Sequence, residues 1–381
     1  MKLTSNLIKY YLWQFISGFY FIYTLQALYL LSKGITPTQL ALFASVTAIS
    51  STALEIPTGF IADKFSRKLS VSLGFFCSGL AYLGFIFITN FYGLLIISFL
   101  LGLAEALKSG AEESLIYDDL KSLNQESDYL KVTSKGTTIG TVSGAVATFL
   151  GPILFVIHAT IPFILSSITH LLLGVLILSF TESRNSSEVK EEVKVMGGVM
   201  AILKNKYVRL IVLMDTILLV FVNIYYQVLF FPKINGLGLD VQYLGTLDVI
   251  NIVLMSGMFI ILPRLVLKNE KNNLVLYTML PVLFFILFGL SNKLIPALIF
   301  GVVFDLVWSA RKHILPTITN RHFNSSDRAL SISSMSFISN LCAAIFVPIA
   351  LILFNVSYYY TLIPAVFIIF LLYIYPKNQN S

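Results

Sequence analysis

The stretch "EIPTGFIADKFSRKLS", residues Glu55–Ser70, lies where a long apolar segment ends. It places an acid among hydrophobic residues, and it then gathers Asp63, Lys64, Arg67 and Lys68 within six positions. Such a change from apolar to highly charged sequence indicates that the chain passes between two very different environments at this point.

The composition identifies the first environment as lipid. The chain has 381 residues, of which 57% are hydrophobic and 12% charged, and its mean hydropathy is +0.84. A soluble domain carries about 25% charged residues, so we expect an all-α membrane protein. The net charge of +7 is then typical of basic residues collected on the cytoplasmic side, and no nucleic-acid partner is expected.

The apolar runs are long enough to cross a bilayer about twelve times, since a spanning helix needs roughly 20 apolar residues. The predicted spans are 10–31, 38–61, 69–89, 92–116, 133–157, 161–180, 207–231, 242–263, 273–290, 294–313, 329–354 and 358–376.

The widest polar gap divides these spans six and six. It predicts an N-terminal six-helix bundle over 1–180, a cytoplasmic linker over 181–206 and a C-terminal bundle over 207–381. The second half of the linker alternates apolar and basic residues, which fits either a short helix on the membrane surface or a plain tether.

The distribution of basic residues predicts that both termini are cytoplasmic. With the N-terminus inside, about 22 of the 26 Lys and Arg residues fall on the cytoplasmic side. Lys33, Lys233 and Lys293 fall outside, and Lys108 is the single basic residue expected within a span.

The opening stretch is then the loop between spans 2 and 3. It contains the residues Gly59, Asp63, Lys64, Arg67 and Lys68 in the order G-x-x-x-D-[RK]-x-x-[RK]-[RK]. This pattern resembles the loop motif of the major facilitator superfamily, with Ser66 in place of the second motif glycine. The chain also resembles the small drug-exporter-like members of Gram-positive bacteria, through "EIPTGFIADKFSRK" and "SGAEESLIYDDLK". The resemblance implies a fold of two six-helix bundles in a bacterial plasma membrane.

The loop is expected to act as a conformational latch. Gly59 lets another helix approach closely, and Asp63 accepts hydrogen bonds at the N-terminus of span 11, with Ser326 or Asp327 as its N-cap. The resemblance implies the same pairing of helices 2 and 11.

Arg67 and Lys68 are expected to bind Asp118 or Asp119 at the end of span 4. The alternative is a solvated loop that only follows the charge rule.

Span 5 carries glycines at four-residue spacing and ends in a Gly-Pro pair. Gly136, Gly140 and Gly144 predict a face on which another helix packs closely. Gly151 and Pro152 permit a bend. The run resembles the helix 5 motif of exporters and antiporters without its final glycines, and a general packing face is the alternative.

Ionisable residues within spans are expensive, at roughly 2.5–3.5 kcal/mol each, and are candidates for a proton or substrate pathway. Asp305 lies roughly 16 Å deep, near the midplane. Glu105, Lys108 and Glu112 share one face of span 4, so a proton could be loaded by breaking their pairing. A structural role is the alternative for all four.

Three further acids lie at other depths. Glu55 and Asp215 lie at a depth similar to that of Glu105, and they are added to the pathway candidates. Asp248 lies nearer the outer face, and for both Asp215 and Asp248 a structural role is favoured.

These features together predict a secondary transporter. The sequence has no G-x-x-x-x-G-K-[ST] phosphate loop, so a gradient, most plausibly of protons, supplies the energy. We expect proton-coupled export of hydrophobic or amphiphilic small molecules by a monomer, without cofactor, metal or enzymatic activity. Uptake or facilitated diffusion of a small polar solute, or a non-transporting membrane sensor, are the alternatives.

Overall fold

The computed structural model describes residues 4–88, 90–182, 202, 206–265, 269–319, 328–356 and 362–374. All regular structure in these ranges is helical. Backbone contacts divide the chain into two units, Met1–Val189 with Asp240–Val249, and Lys190–Leu239 with Ile250–Ser381. The two units are described separately below.

The described part of the first unit contains eight α-helices. They are α1 (Ser5–Ser17), α2 (Gln26–Ser32), α3 (Pro37–Lys64), α4 (Arg67–Phe87), α5 (Phe91–Lys108), α6 (Ala111–Ser122), α7 (Tyr129–Ile157) and α8 (Ile161–Leu178). Short 3₁₀ turns lie at Glu126–Asp128 and Val241–Tyr243.

The described part of the second unit continues the helical pattern. Its helices are α9 (Lys206–Ile224), α10 (Phe230–Gly236), α11 (Leu244–Leu265), α12 (Glu270–Leu290), α13 (Leu294–Thr319), α14 (Arg328–Val356) and α15 (Leu362–Ile374). A π-helical turn, Tyr225–Leu229, joins α9 to α10. The residues of α11 up to Val249 group with the first unit.

Many of these helices have the length and composition of membrane spans. Among the described residues, eight helical segments are long and apolar enough to cross a bilayer, and Phe337–Leu353 and Ile363–Ile374 are shorter apolar helices. The prediction of an all-helical membrane protein is therefore confirmed. The count of twelve spans, the cytoplasmic termini and the domain boundaries stay predictions.

The prediction of an unbroken first span over 10–31 is wrong. Helix α1 ends at Ser17 and α2 begins at Gln26. The backbone between them is satisfied locally and by α8, because the Phe21 N–H donates to Ser166 Oγ at 3.0 Å and the Leu25 N–H donates to the Ile22 carbonyl at 3.0 Å. A buried helix break needs such partners, since unpaired backbone groups are costly in an apolar medium.

The break in the first span packs against the glycine face of α7. A side chain at Gly18 would overlap Ser143 Oγ and the carbonyl of Gly140. A Cβ at Gly140 would lie 3.1 Å from the Gln14 carbonyl oxygen, and one at Gly144 would lie 3.6 Å from that of Gly18. The small residues of α7 therefore let its backbone approach that of the first span.

The same face continues to the end of α7. A side chain at Gly151 would overlap the Phe21 carbonyl oxygen. Pro152 is buried inside α7, which continues to Ile157. The glycines of span 5 thus lie along α1 and the break that follows it.

We predict that Gly151→Val lowers the free energy of unfolding by about 1–3 kcal/mol, because the new side chain collides with backbone that cannot move aside. Gly257→Val is the matched control, since Gly257 is also helical and a Cβ there meets no described atom within 4 Å. Thermal unfolding of the purified variants measures the difference. Equal destabilisation by both substitutions would contradict the close packing at Gly151.

Candidate functional site

The loop between α3 and α4 is organised by Ser66, the residue that departs from the family motif. Ser66 Oγ caps α4 by accepting from the Leu69 N–H at 3.2 Å, and it donates to Glu182 Oε2 at 2.6 Å. The Arg67 N–H donates to Glu182 Oε1 at 2.8 Å. The hydroxyl thus begins the helix where the motif has a glycine.

Arg67 and Lys68 of this loop contact other parts of the first unit, and Lys64 contacts its own helix α3. The Arg67 guanidinium pairs with the Asp118 carboxylate on α6. Lys68 Nζ donates to the Phe180 carbonyl at 3.0 Å, and Lys64 Nζ lies 5.5 Å from the centroid of the Phe60 ring. These contacts join the start of α4 to α6 and to the end of α8.

Most of the other half of the expected latch lies outside the described residues. A Cβ at Gly59 would meet no described atom within 4 Å, so the close approach expected there is absent from this part of the chain. The side chain of Asp63 and residues 320–327, with Ser326 and Asp327, lie outside the described residues. The pairing of Asp63 with span 11 stays a prediction.

The fourth predicted span, 92–116, is broken, which corrects the expectation of one continuous helix. Helix α5 ends at Lys108, Gly110 has a φ of +68°, and α6 begins at Ala111. That left-handed conformation suits glycine, which has no Cβ to clash. Glu112 therefore begins a second helix and is not part of one ladder with Glu105 and Lys108.

The break places charges where the helix ends favour them. Lys108 lies in the last turn of α5, and Glu112 and Glu113 lie in the first turn of α6. The C-terminus of a helix carries partial negative charge and the N-terminus partial positive charge. The two dipoles therefore stabilise the lysine and the glutamates.

Lys108 makes no ion pair with Glu105 or Glu112 in the ranges that the structure describes. Its ammonium lies 5.1 Å from the centroid of the Phe75 ring, which is a cation–π distance. Its stem packs on α4, where a Cβ at Gly74 would lie 2.6 Å from Lys108 Cγ.

Two predicted pathway acids from different helices lie near this break. Glu55 on α3 accepts a hydrogen bond from Ser109 Oγ at 3.0 Å. Glu105 lies in the last turn of α5, three residues before Lys108. The structure thus brings Glu55 of α3 to the break at Ser109, and Glu105 and Lys108 lie in the last turn of α5 before it. Discontinuous helices form ion and substrate sites in other transporters.

In the second unit, Asp305 lies deep in α13 and is 2% exposed. Asn251 Nδ2 on α11 donates to Asp305 Oδ2 at 2.6 Å. The amide gives the buried carboxylate a hydrogen bond that surrounding hydrocarbon could not provide, which lowers the free-energy cost of burying it. Asp248 lies one turn before Asn251 on α11 and belongs to the first unit.

A second buried charge on α13 was not recognised in the sequence. Arg311 is 2% exposed and lies within the apolar helix Leu294–Leu315. Its Nη1 donates to Asp215 Oδ1 on α9 at 2.5 Å. The prediction that Lys108 is the single basic residue within a span is therefore wrong. The apolar run "HILPTI" after Arg311 is the signal that could have revealed it.

Polar groups also interrupt α9 close to an aromatic cluster. At the π-helical turn, Gln227 Nε2 donates to Asn223 Oδ1 at 2.8 Å, and Tyr225 Oη donates to the Gly301 carbonyl at 3.0 Å. The Tyr225 ring lies 4.3 Å from that of Phe304, centroid to centroid. Turns of this kind are frequent at functional sites.

The fold and these sites define a polytopic helical membrane protein with charges held inside its helices. The family model of the Major Facilitator Superfamily matches residues 10–316, and the chain belongs to that family. This confirms the resemblance drawn from the loop motif.

Individual relatives are distant. The MFS-type transporter YxaM of Bacillus subtilis (strain 168) is 25% identical over 186 residues, which is 47% of this chain and 46% of YxaM. The chain thus matches less than half of that relative's length.

The crystal structure of the nucleoside transporter NupG aligns with a TM-score of 0.79 at 12% identity, covering 98% of both chains. A POT family transporter in complex with a thioalcohol-conjugated peptide aligns with a TM-score of 0.70 at 14% identity, covering 97% of this chain and 95% of the other. Both likenesses show the fold alone.

We predict that Asp118→Asn shifts the ratio of inward- and outward-open conformers by about two- to fivefold, because a partly exposed ion pair contributes about 0.5–1 kcal/mol. The accessibility of a single cysteine at Ser109, in a background without Cys77 and Cys342, measures the shift. Glu113→Gln, on the exposed side of the same helix, is the control. An unchanged ratio in Asp118→Asn would rule out the latch role.

We also predict that Asp215→Asn destabilises the second unit by about 3–5 kcal/mol, since it leaves the Arg311 charge buried without its partner. The double variant Asp215→Asn with Arg311→Gln should recover most of that loss. Thermal unfolding in detergent measures both. If the double variant were as unstable as the single one, the buried pair would not be the cause.

Proposed function

We propose that this chain is a proton-coupled exporter of hydrophobic or amphiphilic small molecules that works by alternating access in a bacterial plasma membrane. In this proposal its twelve spans form two six-helix bundles, and both termini are cytoplasmic. The observation that carries the proposal is Asp305, a buried carboxylate in an apolar helix with Asn251 as its hydrogen-bond donor.

Proton coupling is supported by the cost of charge at this position. A carboxylate within a span is expensive when ionised and is stable when protonated or well paired. Its charge state therefore depends on access to water on one side or the other, which is the property a proton-coupled transporter uses. Glu55 and Glu105 beside the broken fourth span are the corresponding candidates in the first unit.

The substrate class is supported by the apolar surroundings of the second unit's polar groups. Five aromatic residues of the second unit pack together, among them Phe304, which directly precedes Asp305 in the chain. They are Phe221, Tyr225, Phe285, Phe288 and Phe304. All five are at most 1% exposed, so they make this region an apolar core, and a ligand that binds near Asp305 gains most from an apolar body. Export is further supported by the resemblance of the α7 glycines to the exporter motif.

Uptake of a small polar solute is the second candidate. The hydrogen-bonded amides of Asn223 and Gln227 at the π-helical turn favour it, because paired amides recognise hydroxyl and amide groups. The structural likeness to a nucleoside transporter agrees with such a substrate without deciding the direction of transport.

We predict that substrate-dependent proton flux is lost in Asp305→Asn. Inside-out vesicles with an imposed pH gradient and a panel of lipophilic dyes and antibiotics measure dye accumulation and dissipation of the gradient. Asp240→Asn is the matched control, because Asp240 is an exposed acid before the turn Val241–Tyr243.

The possible outcomes separate the candidates. Flux that persists in Asp305→Asn would move the proton to Glu55, Glu105 or Glu112. Flux with nucleosides or sugars and none with lipophilic compounds would favour uptake. No flux with any compound would favour a sensor.

A further inference from the structure

The buried guanidinium of Arg311 has more hydrogen-bond donors than the described residues satisfy. Nη1 binds Asp215, whereas Nε and Nη2 have no hydrogen-bond partner in this part of the chain. Both nitrogens are inaccessible to solvent. Buried donors without acceptors are rare and costly.

A third unsatisfied donor lies beside them. Trp308 Nε1 is also buried without an acceptor among the described residues, and the Trp308 ring lies 5.6 Å from Arg311 Cζ. The two residues are one helical turn apart on α13, so their side chains lie on one face. This face therefore carries a positive charge and three buried donors for which the described residues supply no acceptor.

We propose that Arg311 and Trp308 form a binding site for the carboxylate of an amphiphilic organic anion. A guanidinium presents its N–H groups in a fork that matches a carboxylate, and bidentate pairs of this kind are short and strong. The indole N–H adds a further donor. The site rests on the proposed function in one respect, that a transported molecule binds in the second unit.

Asp215 provides the route by which such a ligand enters. Its side chain is 18% exposed, whereas that of Arg311 is 3% exposed. The pair can therefore be reached from the Asp215 side, where an incoming carboxylate exchanges with the aspartate on the guanidinium. Asp215 holds the arginine in place until the ligand arrives.

The apolar part of the ligand lies along α13. Phe304 is one turn before Trp308 on this helix and belongs to the aromatic cluster around Tyr225. Phe304 is 0% exposed and Trp308 is 3% exposed, so a carboxylate that displaces Asp215 from Arg311 brings an attached hydrocarbon or ring against side chains that exclude water. This arrangement selects an anion with an apolar body over an inorganic anion.

Trp308 itself reports binding, because the chain has two tryptophans. In full-length Trp13→Phe protein in detergent, Trp308 is the only indole fluorophore. We expect sodium hexanoate to change its fluorescence saturably. We expect hexan-1-ol and inorganic phosphate to bind at least tenfold more weakly.

Three variants locate the site. The double variant Asp215→Asn with Arg311→Gln is neutral like the native pair and should lose hexanoate binding at least tenfold. Arg311→Lys keeps the positive charge without the forked N–H groups, and it should lose part of the hexanoate binding. Lys312→Gln is the control, since Lys312 lies 5.6 Å from the same indole ring but is exposed, and its hexanoate affinity should be unchanged.

The opposite results would overturn the site. Equal responses to hexanoate and hexan-1-ol would show apolar partitioning only, and equal binding of phosphate would remove the amphiphile assignment. Loss of binding in Lys312→Gln with retention in the double variant would place the anion elsewhere. Because binding is measured without a gradient, hexanoate binding without proton flux would refute the proposed export and leave this site intact.

Discussion

The hydrocarbon core of a bilayer offers no hydrogen-bond partners, and this constraint governs every unusual feature of the chain. A helix that stops inside the membrane leaves backbone groups that other parts of the protein have to satisfy. The first span stops at Ser17, and its break is supported by Ser166 and by the glycine face of α7. The fourth span stops at Lys108, where Gly110 turns the chain. Glycines thus allow both breaks, in one case by close packing and in the other by a left-handed turn.

The same constraint determines how charges are held. Asp305 has an amide donor, Arg311 has Asp215, and Lys108 has the carbonyl end of α5 and the Phe75 ring. Three different partners therefore solve one problem. They differ in how easily they can be exchanged, because an ion pair can accept a competing carboxylate whereas a helix dipole is permanent. The exchangeable ion pair of Arg311 and Asp215 is therefore the position where a ligand carboxylate gains most binding free energy.

Residue patterns that act over one or two helical turns could be read from the sequence. They predicted the membrane class, the family and the close packing of the α7 glycines. Apolar run length and the loop motif around Asp63 are local signals of this kind. The breaks at Gly18 and Gly110 could not be predicted, because a glycine within an apolar run fits a packing face as well as a break. The pairing of Arg311 with Asp215 joins residues 96 positions apart. Composition places Arg311 near the end of a span and gives no sign of its partner on α9.

Lys108 and Arg311 occupy corresponding positions in the fourth predicted span of each half. Lys108 follows Phe91, the first residue of α5, by 17 positions, and Arg311 follows Leu294, the first residue of α13, by the same number. Transporters of this kind are built from structural repeats, and the two cations lie at the same distance along their helices. Helices α5 and α13 differ in what offsets the charge of Lys108 and of Arg311. Helix α13 continues past Arg311 to Thr319, and Asp215 on α9 neutralises the guanidinium. Helix α5 ends at Lys108, so the negative end of its dipole lies beside the ammonium, which makes no direct ion pair within the described residues.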